Sequence, residues 1–390
     1  MATILFSPLQ LRGLTLKNRV VISPMQQHTA VDGIANDWHM VHYGKFALGG
    51  AGLVLVESTA VSPVGMSGDD DLGLWRDDQA DALVPIVQFA HERDTAIGIQ
   101  LGHAGRKSGT ITLWKGNGVL SSEEMRLRRP GWERIGPSAI PCGEAWSVPR
   151  EMGAADMAQA IQDFCAAARR ADRAGFDVLE LHCAHGYLIA SFLSPLSNRR
   201  GDEYGGSRSR RMRFPLEVIA AVRETWPAQK PLFCRISVVD GGGPEGWGEA
   251  DSVVFAKELA KLGVDVIDCS SGGLAQSPTQ VARGLGFQVP YAARIRSGAG
   301  VKVQAVGFIL DGRQAEAILQ AGKADLIAIG REAYYDPYWP HHAREALGDD
   351  DQFASWPEQY AAWLKRRAPL MSEMRMSGAA EPRHQQVRTQ

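Results

Sequence analysis

Eight short apolar runs alternating with helix-like segments predict an α/β fold, a single (β/α)8 TIM barrel. Two observations carry that reading. The runs are apolar throughout rather than in alternation, as strands covered by helices on the outside of a parallel sheet must be. They also number eight, the strand count of a TIM barrel. No domain boundary is visible before residue 365 of the 390, so one domain is expected over 1–367. The polar remainder, 368–390, is expected to be a disordered tail.

The elements follow in order. Leu9, Leu11, Leu14 and Leu16 around Arg12-Gly13 predict a hairpin that caps the bottom of the barrel. Asn18 to Met25 is the first strand and its loop, Trp38 to Leu48 a helix, and Gly52 to Glu57 the second strand. A helix at 78–93 leads to the third strand, Ala96 to Leu101. Residues 103–150 read as one irregular excursion rich in Gly, Pro and Arg, long for a barrel loop. Beyond it, helices at 154–174, 209–224, 252–262, 291–296 and 313–320 alternate with strands at 178–182, 232–236, 264–269, 301–306 and 325–329.

Bulk properties narrow the function classes. The chain is 45% hydrophobic and 22% charged, an ordinary globular balance, and its net charge of -2 favours neither nucleic acid nor an anionic membrane surface. Five cysteines (Cys142, Cys165, Cys183, Cys234, Cys269) without a C-x-x-C pair argue against a disulfide framework and for a reducing cytoplasm. No signal peptide is evident in Met1 to Pro8, and no apolar run approaches the roughly 18 residues of a membrane span. A cytoplasmic protein acting on a small molecule is expected.

In such a barrel the residues after each strand converge at one mouth, where the chemistry is built. Here they are Pro24-Met25, Ser58-Thr59, Gln100, His182 with His185, Arg235, Ser270 to Gly273, Gly307 and Gly330-Arg331. The set suits a flat, polar, phosphate-bearing ligand. Gly307 and Gly330-Arg331 fall after strands seven and eight, where barrels often hold phosphate with backbone N–H groups and a guanidinium. One such glycine would read as a mere turn; two with an arginine attached do not. Gln100 can pair with the donor–acceptor edge of a pyrimidine-like ring or satisfy buried backbone groups. Arg235, inside an apolar strand, needs an anion, a carbonyl or a core carboxylate as partner. His182, His185 and Tyr187 can hold a carbonyl oxygen as it gains charge and deliver a proton. A metal reading of the two histidines is weaker, because the spacing is i, i+3 after a strand rather than i, i+4 on a helix. Gly241 to Gly246 satisfies G-x-G-x-x-G in letters, but a proline interrupts it and it reads as a loop.

The motifs His182-x-x-His185-Gly186-Tyr187, Phe192-Leu193-Ser194-Pro195-Leu196-Ser197-Asn198-Arg199 and Asp202-Glu203-Tyr204-Gly205-Gly206-Ser207 resemble the Old Yellow Enzyme family of FMN-dependent ene-reductases. The likeness is greater to its bacterial branch with short N-terminal loops. It covers roughly residues 4–365 and implies FMN as cofactor and NAD(P)H as electron donor. The implied reaction is reduction of an activated C=C bond, with hydride from flavin N5 and a proton from Tyr187. His182 and His185 would hold the substrate's carbonyl or nitro oxygen. The implied flavin contacts are Ser23, Pro24, Met25, Gln26, Ser58, Gln100, Arg235, Ser270, Gly307, Gly330 and Arg331, and His28 is the further substrate contact. A homo-oligomer, dimer or tetramer, is implied too.

The chain departs from the branch at two loops. Relatives usually carry Cys at the position of Gln26 and Tyr at that of His28, the first tuning the flavin and the second touching the substrate. Ala362 stands where relatives often place an arginine that enters a neighbouring subunit's site. A desaturase, demethylase or ring-modifying enzyme on a specific metabolite is the alternative that Gln26 and His28 motivate. Residues 108–136 are expected either to cover the substrate site or to be a solvated excursion.

Overall fold

The computed structural model describes residues 3–275, 281–350 and 352–376. Eight parallel strands close a barrel: β1 (Val20–Ile22), β2 (Leu53–Ala60), β3 (Ala96–Gly102), β4 (Val178–Cys183), β5 (Leu232–Ser237), β6 (Val266–Ser270), β7 (Lys302–Ala305) and β8 (Leu326–Ile329). Each pairs with its sequence neighbour, and β8 closes on β1 through Ile327↔Val20 and Ile329↔Ile22. Every predicted barrel strand is present, with ends that move by one to a few residues.

Below the barrel, Leu9–Leu11 and Leu14–Leu16 form the expected antiparallel hairpin. Leu9, Leu11 and Leu16 are buried in one cluster with Val21, Leu53, Leu55, Val178, Phe233, Val266 and Leu326. Most of these lie near the starts of their strands, so the hairpin plugs the amino-terminal end with apolar surface.

The helices are α1 (Asp37–Leu48), α2 (Asp77–His91), α3 (Ser122–Arg128), α4 (Ala154–Arg173), α5 (Leu188–Leu193), α6 (Arg208–Thr225), α7 (Glu249–Lys261), α8 (Val289–Ala299), α9 (Gly312–Gln320), α10 (Arg331–Tyr335), α11 (Trp339–Ala346) and α12 (Glu358–Met376). In α4 the buried residues Met157, Ala160, Phe164, Ala167, Ala168 and Ala171 recur at helical spacing and face the sheet. Side chains of Asn36 and Asp311 accept backbone N–H groups at the starts of α1 and α9. Helix α5 was not expected: its six residues are all buried, so no polar face betrays a period. Helices α10 and α11 were not expected either. Among the described residues no helix is long and apolar enough to cross a membrane.

Two expectations need revision. The excursion between β3 and α4 is folded, containing α3 and a short parallel pair, Ile135–Gly136 with Arg150–Glu151. Its Leu120, Met125 and Trp132 share a small core with Ala60 and Met66 beside β2, so it is not a solvated loop. Helix α12 continues to Met376, past the expected tail boundary at residue 367; residues 377–390 lie outside the described ones. The Gly241 to Gly246 segment is indeed a loop, with Asp240 accepting the Gly242 and Trp247 amides at 2.7 Å each.

Candidate active site

The strand ends converge as the barrel requires. Ser23, Pro24, Met25, Arg235, Gly307, Gly330 and Arg331 line one cavity of about 220 Å³ together with Phe287, Gln288 and Phe308. At Gly307 the backbone has φ +112°, and a Cβ would meet Gln288 Nε2 and Phe287 Cε1 at 2.8 Å, so only glycine keeps the wall open. Arg331 lies over the Phe308 ring at 4.7 Å and makes no ion pair with a carboxylate among the described residues. Ser23 Oγ is buried without a hydrogen-bond partner. A cation not neutralised by an acid, a glycine-lined wall and an unpartnered hydroxyl fit a phosphate-bearing ring system such as FMN.

Arg235 satisfies both of its readings. It lines this cavity, and its Nε stands 3.2 Å from Asp268 Oδ2 of the neighbouring strand. Gln100 turns elsewhere: its Nε2 donates to the buried Glu180 Oε1 at 2.7 Å, so part of its amide serves the barrel interior. Ser58 follows a register shift in β2 and fills the space that a side chain at Gly102 would take, next to His182. Ser270 meets an imidazole, with its Oγ 2.7 Å from His185 Nε2.

The end of β4 and the turn after it hold His182 and His185 at near right angles, ring centres 5.2 Å apart. The Ala184 amide donates to His182 Nδ1 at 3.2 Å, which leaves the ring proton on Nε2, 3.4 Å from His185 Nδ1. Burial, then the charges of Arg235 and Lys107, lowers the His182 pKa to about 3 and carries His185 well below its ordinary value. Both imidazoles are therefore neutral donors at neutral pH. His185 has φ +56° and Gly186 φ +71°, and a Cβ at Gly186 would come within 2.6 Å of the Leu274 carbonyl oxygen. The turn is held by Lys107, whose Nζ donates to the His185 carbonyl at 2.7 Å and to that of Gly273. Tyr187 lies 4.6 Å from the His182 ring, centre to centre. Burial, then the charge of Asp71, raises its pKa, so the phenol is protonated.

The first loop is anchored from outside the barrel. Glu57 accepts from the Tyr43 hydroxyl at 2.6 Å and from the Gln27 amide at 3.1 Å. Gln26 contacts Tyr187 rather than standing apart: Tyr187 Oη donates to Gln26 Oε1 at 3.3 Å, and Gln26 Nε2 donates to Ser67 Oγ at 3.0 Å. His28 has φ +49° and pairs through Nδ1 with Asp71 at 2.9 Å and Asp70 at 3.2 Å. Burial disfavours its charge, but the hydrogen bonds to Asp70 and Asp71 outweigh that and raise its pKa to about 10. These three residues bring their ligand atoms within 4.8 Å of one another, a set that could hold a metal, but their own ion pairs account for the arrangement. The excursion reaches this corner, with Trp114 edge-on to His28 at 5.9 Å and Lys115 bound to Asp70 at 2.9 Å.

Ser67, Asp70, Asp71, Lys107 and Ser237 escaped the sequence reading. The acidic run Asp69-Asp70-Asp71 after Gly68 was the available signal for two of them. Nothing local marks Ser237, whose Oγ accepts the His185 amide at 2.9 Å.

Cavity, cation and paired imidazoles at the mouth of the barrel suit a flavin-dependent oxidoreductase. Comparison with known proteins agrees. The profile of the NADH:flavin oxidoreductase / NADH oxidase family matches residues 4–350. The NADPH dehydrogenase of Geobacillus thermodenitrificans is 47% identical over 350 residues, 89% of this chain and 96% of the relative. The NADPH dehydrogenase of Bacillus subtilis is 43% identical over 352 residues, covering 90% and 97%. Among solved structures, morphinone reductase superposes with a TM-score of 0.74 at 27% identity, over 90% of this chain and 91% of the other. The chain belongs to the Old Yellow Enzyme family of FMN-dependent oxidoreductases, with NAD(P)H as electron donor.

Proposed function

We propose that the protein reduces the activated C=C bond of α,β-unsaturated carbonyl or nitro compounds. The observation that carries this reading is the joint placement of two neutral imidazoles and a protonated phenol beside the cavity. FMN, when bound, supplies a hydride drawn from NAD(P)H. Ser23, Gly307, Gly330 and Arg331 would hold its phosphate end; Pro24, Met25, Gln26, Ser58, Gln100, Arg235 and Ser270 are the remaining proposed contacts.

His182 and His185 donate to the substrate oxygen as it takes on enolate-like charge, which lowers the barrier only while charge is developing. Their neutrality suits the role, since each keeps one N–H to give. A ligand oxygen would replace the long 3.4 Å contact between the rings. Tyr187 then protonates the α-carbon. The reverse reading, a desaturase, demethylase or ring-modifying enzyme, asks for a base where this site holds a phenol pushed upward in pKa. Trp114 and Lys115, next to His28, make the excursion one wall of the proposed substrate site.

The names of the relatives favour NADPH as donor. Five buried, unpaired cysteines suit a reducing compartment such as the cytoplasm. Trp363 and Leu370, exposed on α12, are apolar surface suited to a homo-oligomer.

The deciding experiment is an anaerobic titration followed in the visible spectrum. NADPH should bleach the yellow protein and 2-cyclohexenone should restore its colour. Bleaching that neither enones nor nitroalkenes reverse would overturn the ene-reductase reading and leave the flavin assignment standing.

A further inference from the structure

We infer that Asp268 is a positioning residue for Arg235, an acid on the neighbouring strand that balances this cation and so sets how firmly the site holds the charge that reduction brings to the cofactor ring. The role rests on the flavin reading above, with Arg235 as a ring contact. It goes beyond that reading, which leaves the acid without a task.

The charged residues lining the cavity, among the described ones, are Arg235, Arg331 and Glu332. Arg331 and Glu332 belong to α10, and Arg235 alone stands on a barrel strand. Its neighbours in β5, Phe233, Cys234 and Ile236, are buried in apolar clusters, so a cation there needs a compensating charge. The β5–β6 register supplies one, since Arg235 lies opposite Asp268. Asp268 is wholly buried, while the Arg235 side chain keeps 12% of its surface accessible. The pair thus runs from the sealed interior to the cavity wall.

The contact is one of charge. Arg235 Nε and Asp268 Oδ2 are 3.2 Å apart, yet neither makes a hydrogen bond among the described residues. Attraction across a water-poor interior therefore holds the guanidinium, and its Nε–H is not tied to the acid. Burial raises the carboxyl of Asp268 and Arg235 draws it down; burial, then the charge of Asp268, pushes Glu180 up to about 8. Of these two buried acids, Glu180 keeps the proton and Asp268 carries the charge.

A hydride from NAD(P)H amounts to two electrons and one proton, so it leaves one negative charge on the ring. Arg235 favours that charge, and Asp268 beside it opposes the same charge. Neutralising Asp268 would leave the guanidinium uncompensated and tilt the equilibrium towards the reduced cofactor.

The test equilibrates holoenzyme anaerobically with a redox dye of known potential and reads both in the visible spectrum. Asp268→Asn should shift the two-electron equilibrium towards reduced flavin by about tenfold, which is about 30 mV. Glu180→Gln, the same change of acid to amide in the same layer, should leave the potential where it was. Arg235→Met should shift it towards the oxidised form. In that background the Asp268 carboxyl loses the cation that keeps it charged and takes up a proton, so adding Asp268→Asn should change nothing. This last comparison leaves no unpaired buried charge, and so it decides the matter even where Asp268→Asn alone does not fold. An unchanged potential in Asp268→Asn, an equal shift in Glu180→Gln, or a further shift on adding Asp268→Asn to Arg235→Met would each overturn the role of Asp268. Failure of the underlying reading looks different: Arg235→Met would itself keep the wild-type potential, removing Arg235 from the ring and the role of Asp268 with it.

Discussion

The lower interior of the barrel holds Val178, Phe233 and Val266, while two positions further along the same strands stand Glu180, Arg235 and Asp268. Side chains two apart share one face of a strand, so both layers look into the same barrel. The lower one is apolar and sealed by the hairpin. The upper one, completed by Gln100 and Gln304, pairs Arg235 with Asp268 Oδ2 and leaves Glu180 Oε2, Asp268 Oδ1 and the Gln304 amide without hydrogen-bond partners among the described residues. Such groups are rare in interiors because each costs desolvation. Their position directly below the proposed catalytic residues gives the site a polar floor.

Substitutions at the two levels should separate stability from chemistry. The largest effect is expected at the mouth itself: Tyr187→Phe should slow flavin reoxidation by enone about 10²–10⁴-fold, the usual worth of a positioned acid. Reduction by NADPH and the thermal midpoint should stay as they were, as stopped-flow and melting measurements would show. In the lower layer, Phe233→Ala should cost about 3–5 kcal/mol of stability through the cavity it leaves. Denaturant titration would reveal that loss, and the flavin bound per folded chain should not change. At the proposed phosphate corner, Arg331→Ala should weaken FMN binding by about 1.5–3 kcal/mol, the range of a hydrogen bond to a charged group. Equilibrium dialysis measures it, and an unchanged dissociation constant would remove Arg331 from the cofactor site.

The smallest effect should come from the polar layer. Burial, then the charge of Asp268, raises the Glu180 pKa above its ordinary 4.5. Above that value the folded state keeps a proton that the unfolded chain has lost, so stability falls as pH rises. Glu180→Gln removes the titration and keeps an acceptor for Gln100. Its thermal midpoint should therefore fall less steeply with pH than wild type from the ordinary carboxylate range upward. Parallel curves would mean that Glu180 does not titrate there.

Much of this was legible in the chain. Gly307, Gly330 and Arg331, read from their places after β7 and β8, do line one cavity, and His182, His185 and Tyr187 do come together, because strand ends in a barrel converge whatever lies between them. Helix α5 was hidden since a wholly buried helix has no amphipathic period. Gln100 stood out as a polar residue in a strand, yet its bond to Glu180 depends on the β3–β4 register, Gln100↔Glu180. Ser270 was placed at the site, while its contact with His185 could not be read from two positions 85 residues apart.

The sequence by itself determined the order of elements, the closed apolar strands, the plug beneath them and the side chains delivered to the mouth. All of these follow from local periodicity and strand polarity. Tertiary structure alone decided the electrostatics: that Asp70 and Asp71 charge His28, that burial beside Arg235 and Lys107 keeps His182 neutral, and that Gln26 bridges Tyr187 to Ser67 and Asp71. Such outcomes depend on distances of a few ångströms and on exclusion of water, and both belong to the packed chain rather than to any stretch of it.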